Sequence, residues 1–302
     1  MKLRRRKLPN GIEVFFHSRS NLDVLEQEMF EGNVYTQHGI ELKEGDCIFD
    51  VGANIGFFVL FLNEQLKDAS VFSFEPIPET FALLQRNSDQ NNHLKLNLFN
   101  CGLASEAGQA TFRYFPAANV CSTMDAEDSI AFRKNSRDFI LQQIREFGRI
   151  PRWFVDHTPA WLWWPTTELI RRIYHRQVPV VCQLRTISDV IDEHQIERID
   201  CLKIDTEGAE MEVLRGMREA HWPLVQQAVI ETHDGPDSAK EVVELLQRHG
   251  FYTQVDSVHE SLGQLSLVYA TRTKQNFERL DSGSDVLQNG KATASADKIF
   301  GV

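Results

Sequence analysis

The most informative stretch of the chain is Cys47-Ile-Phe-Asp-Val-Gly-Ala-Asn-Ile-Gly-Phe-Phe-Val-Leu-Phe-Leu62. Its apolar beginning predicts a buried strand, and its apolar end predicts the first turns of a helix that packs on a sheet. Between them, Gly52, Asn54 and Gly56 allow a sharp turn, because glycine and asparagine tolerate positive φ angles. A strand–turn–helix unit of this kind brings backbone N–H groups close to a nucleotide-like ligand.

The next predicted strand, Val71-Phe-Ser-Phe-Glu-Pro76, ends in a carboxylate. Glu75 follows Gly56 by 19 residues, close to the spacing at which an acid reaches the hydroxyls of a ribose. The turn itself departs from the dinucleotide pattern G-x-G-x-x-G, and Asp50 at its mouth would repel a pyrophosphate but suit a cation. The pattern therefore favours S-adenosylmethionine (SAM), which carries a sulfonium and an amino group, over NAD. A structural turn without a ligand is the alternative.

Composition limits the class of protein. The 302-residue chain is 42% hydrophobic, which is enough for one large domain or two small ones. Its formal net charge of −11 argues against a general nucleic-acid binder. The five cysteines form no C-x-x-C pair and indicate a reducing compartment. We therefore expect a cytoplasmic protein without a membrane span or a secretory signal. The basic residues 1–7 are interpreted as a solvated tail, with contact to an acidic partner or a membrane surface as the alternative.

Predicted strands alternate with predicted helices, which is typical of a mostly parallel sheet with helices on both faces. We expect a basic segment with a short strand over residues 1–24, the main α/β domain over 25–273 and a polar, disordered tail over 274–302. The alternation breaks at about 125–177, where Trp153, Trp161, Trp163 and Trp164 occur. This aromatic-rich helical insertion is interpreted as a lid over the ligand crevice. A satellite core and an interfacial membrane contact are alternatives.

Ligands bind at the carboxyl ends of the strands in such a sheet. Cys101 follows the third predicted strand, so we expect it to border the adenine ring. Tyr35, in the segment before the first core strand, is a candidate cofactor neighbour or an aromatic residue simply packed under the loop. The side chains expected at this edge are Asp50, Glu75, Cys101, Asp205 and the run from Glu231 to Asp234.

Four segments carry a resemblance to a known family: Phe49-Asp-Val-Gly-Ala-Asn-Ile-Gly56, Phe74-Glu-Pro76, Leu202-Lys-Ile-Asp-Thr-Glu-Gly-Ala-Glu210 and Ile230-Glu-Thr-His-Asp234. They are similar to FkbM-type SAM-dependent methyltransferases. The resemblance implies a class I methyltransferase domain: a Rossmann-like α/β fold with a mostly parallel, seven-stranded sheet. It implies SAM as the cofactor, held by Asp50, Gly52, Asn54, Gly56, Glu75 and Pro76.

The resemblance also implies methyl transfer to a hydroxyl of a sugar or natural product. The segments look most like the O-methyltransferase domains associated with polyketide and peptide synthases. The expected partner is therefore a small-molecule acceptor, either free or tethered to a carrier protein.

Methyl transfer needs alignment of the reacting atoms and a base for the hydroxyl proton. His233 is the first candidate for that base, since it follows the fifth strand and an imidazole titrates near neutral pH. Asp205 and Glu207 are alternatives, or orient His233 or the substrate. The structural explanations are a histidine bonded to a loop carbonyl and two acids at a helix N-terminus. Lys203 is expected to pair with an acid.

A metal-dependent variant is a further alternative, since Asp205, Glu231, His233 and Asp234 would suit Mg²⁺. We do not expect a metal. Rival functions are a sugar O- or N-methyltransferase, a SAM-binding regulatory module without turnover and, more remotely, an NAD-dependent oxidoreductase. The sequence leaves the oligomeric state open.

Overall fold

A computed structural model of the protein describes residues 3–17, 22–26, 29–30, 32–90, 93–115, 177–233, 236–260 and 263–273. The predicted tail 274–302 lies outside these residues, as do Asp234 and all of the predicted tryptophan-rich insertion except its last residue. The insertion and the tail therefore stay predictions.

The helices and strands follow the predicted alternation. None of the described helices is both long and apolar enough to cross a bilayer. In chain order the elements are β1 (Arg4–Lys7), β2 (Glu13–Phe16), α1 (Leu22–Glu26), a 3₁₀ turn (Val34–Thr36), β3 (Asp46–Val51), α2 (Phe57–Gln65), β4 (Ala69–Phe74), α3 (Pro78–Ser88), β5 (Lys95–Phe99), β6 (Gly102–Leu103), β7 (Gly108–Tyr114), β8 (Val178–Arg185), α4 (Ile187–Glu193), β9 (Cys201–Ile204), α5 (Glu210–Arg215), a second 3₁₀ turn (Glu219–Leu224), β10 (Gln227–Thr232), α6 (Pro236–Arg248), β11 (Tyr252–Glu260) and β12 (Gly263–Thr271).

A seven-stranded sheet in the order β11-β12-β10-β9-β3-β4-β5 forms the centre of the molecule. Strand β12 is antiparallel to both of its neighbours, and the other adjacent pairs are parallel. The prediction of a mostly parallel, seven-stranded class I sheet is confirmed. Strands β3, β4 and β9 are almost wholly buried, as expected for parallel strands covered on both faces.

Two hydrophobic clusters occupy the two faces of this sheet. Phe49 belongs to a cluster that includes residues of α4, α5 and α6. Its neighbour Ile48 belongs to a second cluster, which includes α2, Leu83 of α3 and the N-terminal strand β2. Since successive strand residues point to opposite faces, helices cover the sheet on both sides. The described helices do not cover the edge formed by the carboxyl ends of the strands, and the polar side chains lie at this edge.

The basic N-terminus is an ordered hairpin, so the prediction of a solvated tail is wrong for β1. Strand β1 pairs antiparallel with β2, and Arg6 forms an ion pair with Glu26 at 2.9 Å. Buried Asn87 of α3 anchors the hairpin, accepting from the backbone N–H of Phe15 at 2.7 Å and donating to its carbonyl at 3.1 Å. Asn87 also donates to the carbonyl of Ile55 at 2.6 Å. The hairpin is thereby connected to the glycine turn.

A small sheet in the order β6-β8-β7 stands apart from the central one. Strand β8 pairs antiparallel with β7 and parallel with β6. Phe112, Tyr114 and Cys182 of this sheet pack against Ile77, which directly precedes α3. The small sheet therefore borders the end of β4, where Glu75 and Pro76 lie.

Candidate active site

The glycine turn after β3 adopts the positive φ angles that its sequence predicts. The φ angles are 79° at Gly52, 49° at Asn54 and 91° at Gly56. A Cβ atom on Gly52 would lie 1.7 Å from the backbone oxygen of Asp205. Gly52 is therefore required both by its conformation and by the close approach of the segment that follows β9.

The N–H groups of this turn are largely used within the protein. Those of Gly52 and Ala53 donate to the carbonyl of Phe74 at 3.1 and 2.9 Å, and that of Gly56 donates to the carbonyl of Ala53 at 2.9 Å. A phosphate site needs such donors directed at the ligand. The turn therefore suits a ligand without a pyrophosphate, in agreement with the choice of SAM over NAD.

Glu75 is held rigidly at the end of β4. One carboxylate oxygen accepts from the backbone N–H of Asn54 at 3.1 Å, and the other accepts from that of Ile77 at 2.9 Å. Burial raises the pKa of Glu75 to about 7, although these two hydrogen bonds oppose the shift. A carboxylate offers about four acceptor positions. Positions therefore remain for the hydroxyls of a ribose.

Two further residues of the predicted cofactor site lie at or just beyond the ends of β4 and β5. Pro76 follows Glu75 directly, and Cys101 is buried just beyond β5. Asn100 connects the two strand ends, because its side-chain amide donates to the carbonyls of Glu75 at 2.9 Å and Pro76 at 3.1 Å. Asn100 was not predicted as a site residue, although its place at the end of the third predicted strand was a usable signal.

Asp50 lies beneath the turn rather than at its open mouth. Its side chain is fully buried, and one oxygen is 3.1 Å from the Nζ atom of Lys203. Ser73 donates its hydroxyl to the other oxygen at 3.5 Å. In this arrangement Asp50 supports the turn from below. Lys203 pairs with an acid, as the sequence predicts.

The three residues predicted to face the acceptor come together. His233 lies in a group of carboxylates, with Nδ1 at 3.3 Å from Glu210 and Nε2 at 3.3 Å from Glu231 and 3.6 Å from Glu207. Glu210 was not predicted as a member of this group. We call the group of Asp205, Glu207, Glu210, Glu231 and His233 the acidic cluster.

Helix capping does not explain Asp205 or Glu207. Helix α5 begins at Glu210 with Ala209 as its N-cap, so both acids precede the helix. Glu207 instead has a left-handed φ of 55°, which is uncommon outside glycine and is often found at functional sites. Glu210 stabilises the turn by accepting from the backbone N–H of Gly208 at 2.9 Å.

Tyr35 joins the acidic cluster from the N-terminal segment. Its hydroxyl donates to Glu231 at 3.0 Å and lies 3.4 Å from a carboxylate oxygen of Asp205. The ring packs edge-on against Phe58 of α2 with centroids 5.5 Å apart. Tyr35 thus lies where the glycine turn and the acidic cluster meet.

The acidic cluster shifts the pKa values of its own members. Burial would lower the pKa of His233, but the carboxylates of Glu207, Glu210 and Glu231 raise it well above its usual value. Burial raises the pKa of Glu207 to about 8, and burial together with Glu231 raises that of Asp205 to about 6. Since its pKa is raised, His233 must lose a proton before it can act as a base.

The same residues offer a possible metal site. Asp205, Glu231 and His233 each present a ligand atom, and these atoms lie within 4.8 Å of one another. A histidine ligates metal only in its neutral form. Because the carboxylates favour protonated His233, a divalent ion would compete with a proton here.

Known proteins resemble this chain over most of its length. The chain is 34% identical over 245 residues to 31-O-demethyl-FK506 methyltransferase FkbM of Streptomyces tacrolimicus, covering 81% of this chain and 87% of the relative. It is 30% identical over 276 residues to methyltransferase sdnD of Sordaria araneosa, covering 87% and 97%. It is 32% identical over 254 residues to the AMB antimetabolite synthetase AmbE of Pseudomonas aeruginosa, covering 82% of this chain and 11% of the synthetase.

A family model described as the methyltransferase FkbM domain matches residues 50–252. That range runs from Asp50 beside the glycine turn to the first residue of β11, and it contains Glu75 and the whole acidic cluster. The chain therefore belongs to the FkbM family of SAM-dependent methyltransferases.

Proposed function

We propose that this methyltransferase transfers the methyl group of SAM to a hydroxyl of a natural-product small molecule. The observation that carries the proposal is the contact between the glycine turn and the acidic cluster, where a Cβ on Gly52 would meet Asp205. The name of the Streptomyces relative, a 31-O-demethyl-FK506 methyltransferase, supports transfer to an oxygen of a natural product. The four described cysteines are free thiols, which supports a cytoplasmic location.

SAM supplies an electrophilic methyl group on its sulfonium. In this proposal Glu75 accepts hydrogen bonds from the ribose hydroxyls, and Pro76 and Cys101 border the adenine. Gly52, Asn54 and Gly56 shape the turn against the ligand, with Asp50 supporting it from below. Tyr35 is the cofactor neighbour on the side of the acidic cluster. Alignment of this kind can supply several kcal/mol of the barrier.

His233 accepts the hydroxyl proton of the acceptor. Glu210 and Glu231, each 3.3 Å from a ring nitrogen, orient the imidazole, and Asp205 and Glu207 compensate its charge. A positioned base contributes about 10²–10⁴-fold to such a reaction. The reaction needs no metal, since the protonated imidazole itself balances the neighbouring carboxylates after the transfer. Activity that survives a chelator supports this assignment, whereas activity restored only by Mg²⁺ would favour a metal bound by Asp205, Glu231 and His233.

The acceptor is proposed to be either free or held on a carrier protein. The match to one segment of an antimetabolite synthetase supports the tethered form. Offering the same hydroxylated compound free and attached to a carrier protein distinguishes the two forms by kcat/KM.

The test is transfer of labelled methyl from SAM to hydroxylated polyketides, peptides and sugars. We expect a methyl ether on a natural-product hydroxyl. The His233→Gln variant should bind SAM normally but transfer the methyl group about 10²-fold or more slowly. The matched control is His93→Gln, because His93 is exposed, and this variant should keep full activity. Binding of SAM without transfer to any acceptor would indicate a regulatory module, and full turnover by His233→Gln would refute the base assignment.

A further inference from the structure

We propose that Lys203 is a positioning residue that holds the cofactor turn and the acidic cluster in a fixed relation. Its place in the fold makes this role available, because β9 lies between β3 and β10 in the central sheet. Lys203 is directly opposite Asp50 on β3 and Val229 on β10. This inference rests on the proposed roles of the turn and the cluster.

The ammonium group of Lys203 makes one hydrogen bond and two ion pairs. Its Nζ atom lies 3.1 Å from the carbonyl oxygen of Gly52, 3.1 Å from Asp50 and 3.6 Å from Asp205. The contact with Gly52 is a hydrogen bond, and the contacts with Asp50 and Asp205 are ion pairs. Lys203 therefore contacts the glycine turn through Gly52, the residue beneath the turn through Asp50, and the acidic cluster through Asp205.

Aromatic rings enclose the same ammonium. Nζ lies 5.2 Å from the ring centroid of Tyr35 and 5.8 Å from that of Phe58, distances at which a cation is attracted to a ring face. Only 5% of the Lys203 side chain is exposed. Lys203 is thus enclosed and directed at fixed partners, which excludes it as a nucleophile that reaches the acceptor.

Each contact of Lys203 fixes an atom that matters to the reaction. The contact with Gly52 orients the peptide that enters the positive-φ turn, and the contact with Asp205 orients a carboxylate that also faces Tyr35. A displacement of about 1 Å in such a site can cost about 10²-fold in rate. Loss of Lys203 should therefore affect both SAM binding and turnover.

The test must separate this role from simple charge balance, because Asp50 is fully buried and losing Lys203 alone would leave it unpaired. We compare the single variant Asp50→Asn with the double variant Asp50→Asn, Lys203→Met. The single variant keeps the contacts of Lys203 with Gly52 and Asp205. The double variant removes the buried charge pair and these contacts together, and buried pairs can often be replaced in this way without loss of the fold.

Thermal unfolding, SAM affinity by calorimetry, and kcat and KM are measured for both variants. We expect the double variant to remain folded but to show a SAM Kd and a kcat each at least about tenfold worse than those of the single variant. Equal Kd and kcat in the two variants would overturn the proposal. Wild-type protein that does not bind SAM would instead contradict the proposed function.

A second variant, Lys203→Arg, keeps the positive charge and tests the proposal if the double variant does not fold. A planar guanidinium cannot bond the Gly52 carbonyl and face both carboxylates in the geometry of a compact ammonium. We expect kcat to fall at least about tenfold in this variant. Wild-type kcat in Lys203→Arg would show that charge alone matters and would overturn the positioning role.

Discussion

The replacement of Gly52 by alanine tests the contact between the two halves of the site. The new Cβ would lie 1.7 Å from the backbone oxygen of Asp205 and 2.7 Å from its carbonyl carbon. These are backbone atoms at the end of a central strand, so they cannot rotate out of the way. Either the turn or the segment after β9 must move.

The expected destabilisation of Gly52→Ala has two parts. The left-handed φ of 79° costs a residue with a Cβ about 1–2 kcal/mol. Overpacking at a tightly packed position adds about 1–3 kcal/mol. Together these lower the free energy of unfolding by about 2–5 kcal/mol, which corresponds to a fall in Tm of roughly 4–20 °C for a domain of this size.

Gly45 provides a matched control at the opposite end of β3. Its φ is also positive, at 88°, but a Cβ placed there meets nothing within 4 Å. Gly45→Ala should therefore show only the backbone strain, about 1–2 kcal/mol. The difference between the two variants measures the cost of the close approach to Asp205.

Differential scanning calorimetry and SAM titration of both variants complete this test. We expect Gly52→Ala to lose clearly more stability than Gly45→Ala and to bind SAM at least about tenfold more weakly. Gly45→Ala should keep wild-type SAM affinity. Equal Tm values for the two variants, with normal SAM binding by Gly52→Ala, would refute the close packing of the turn against Asp205.

Three further predictions concern protons and the N-terminal hairpin. Carboxylates raise the pKa of His233, and a base acts only when it is deprotonated, so kcat/KM should rise with pH through neutrality. A kcat/KM that stays constant from about pH 5.5 upward would contradict this prediction. SAM binding at about pH 6.5 should release a proton from Glu75, whose pKa of about 7 falls when hydroxyls bond to its ionised form. Calorimetry in buffers of different ionisation enthalpy measures that proton, and Glu75→Gln should abolish its release. Asn87→Ala removes three hydrogen bonds and should cost about 2–4 kcal/mol, whereas a loss under about 1 kcal/mol in urea unfolding would show that the hairpin is weakly anchored.

The sequence was sufficient to predict the edge at which the candidate site residues lie. Apolar runs with abrupt polar ends marked where β3, β4 and β9 stop, and parallel strands bring those ends to one edge. Glycine and asparagine marked the positive φ angles of the turn because few other residues tolerate them. Both signals are local, so they can be recognised without knowledge of the tertiary packing.

Long-range pairings could not be predicted in the same way. The pattern placed Asp50 at a strand end but not beneath the turn, because its partner Lys203 comes from a strand that follows about 150 residues later. The four consecutive basic residues of β1 show no alternation of apolar and polar side chains, so the sequence did not predict that they form a strand paired with β2. The participation of Glu210 depends on where α5 begins, and helix boundaries are poorly defined by sequence alone.

Titration of SAM into the wild-type protein and two glutamate variants tests the central claim most directly. Glu75 is buried at the end of β4, whereas Glu79 is exposed in the first turn of α3 and provides the control. We predict that the wild-type protein binds SAM and not NAD, that Glu75→Ala weakens SAM binding about 10- to 100-fold and that Glu79→Ala leaves it unchanged. Undiminished SAM binding by Glu75→Ala, or binding of NAD in place of SAM, would contradict the account.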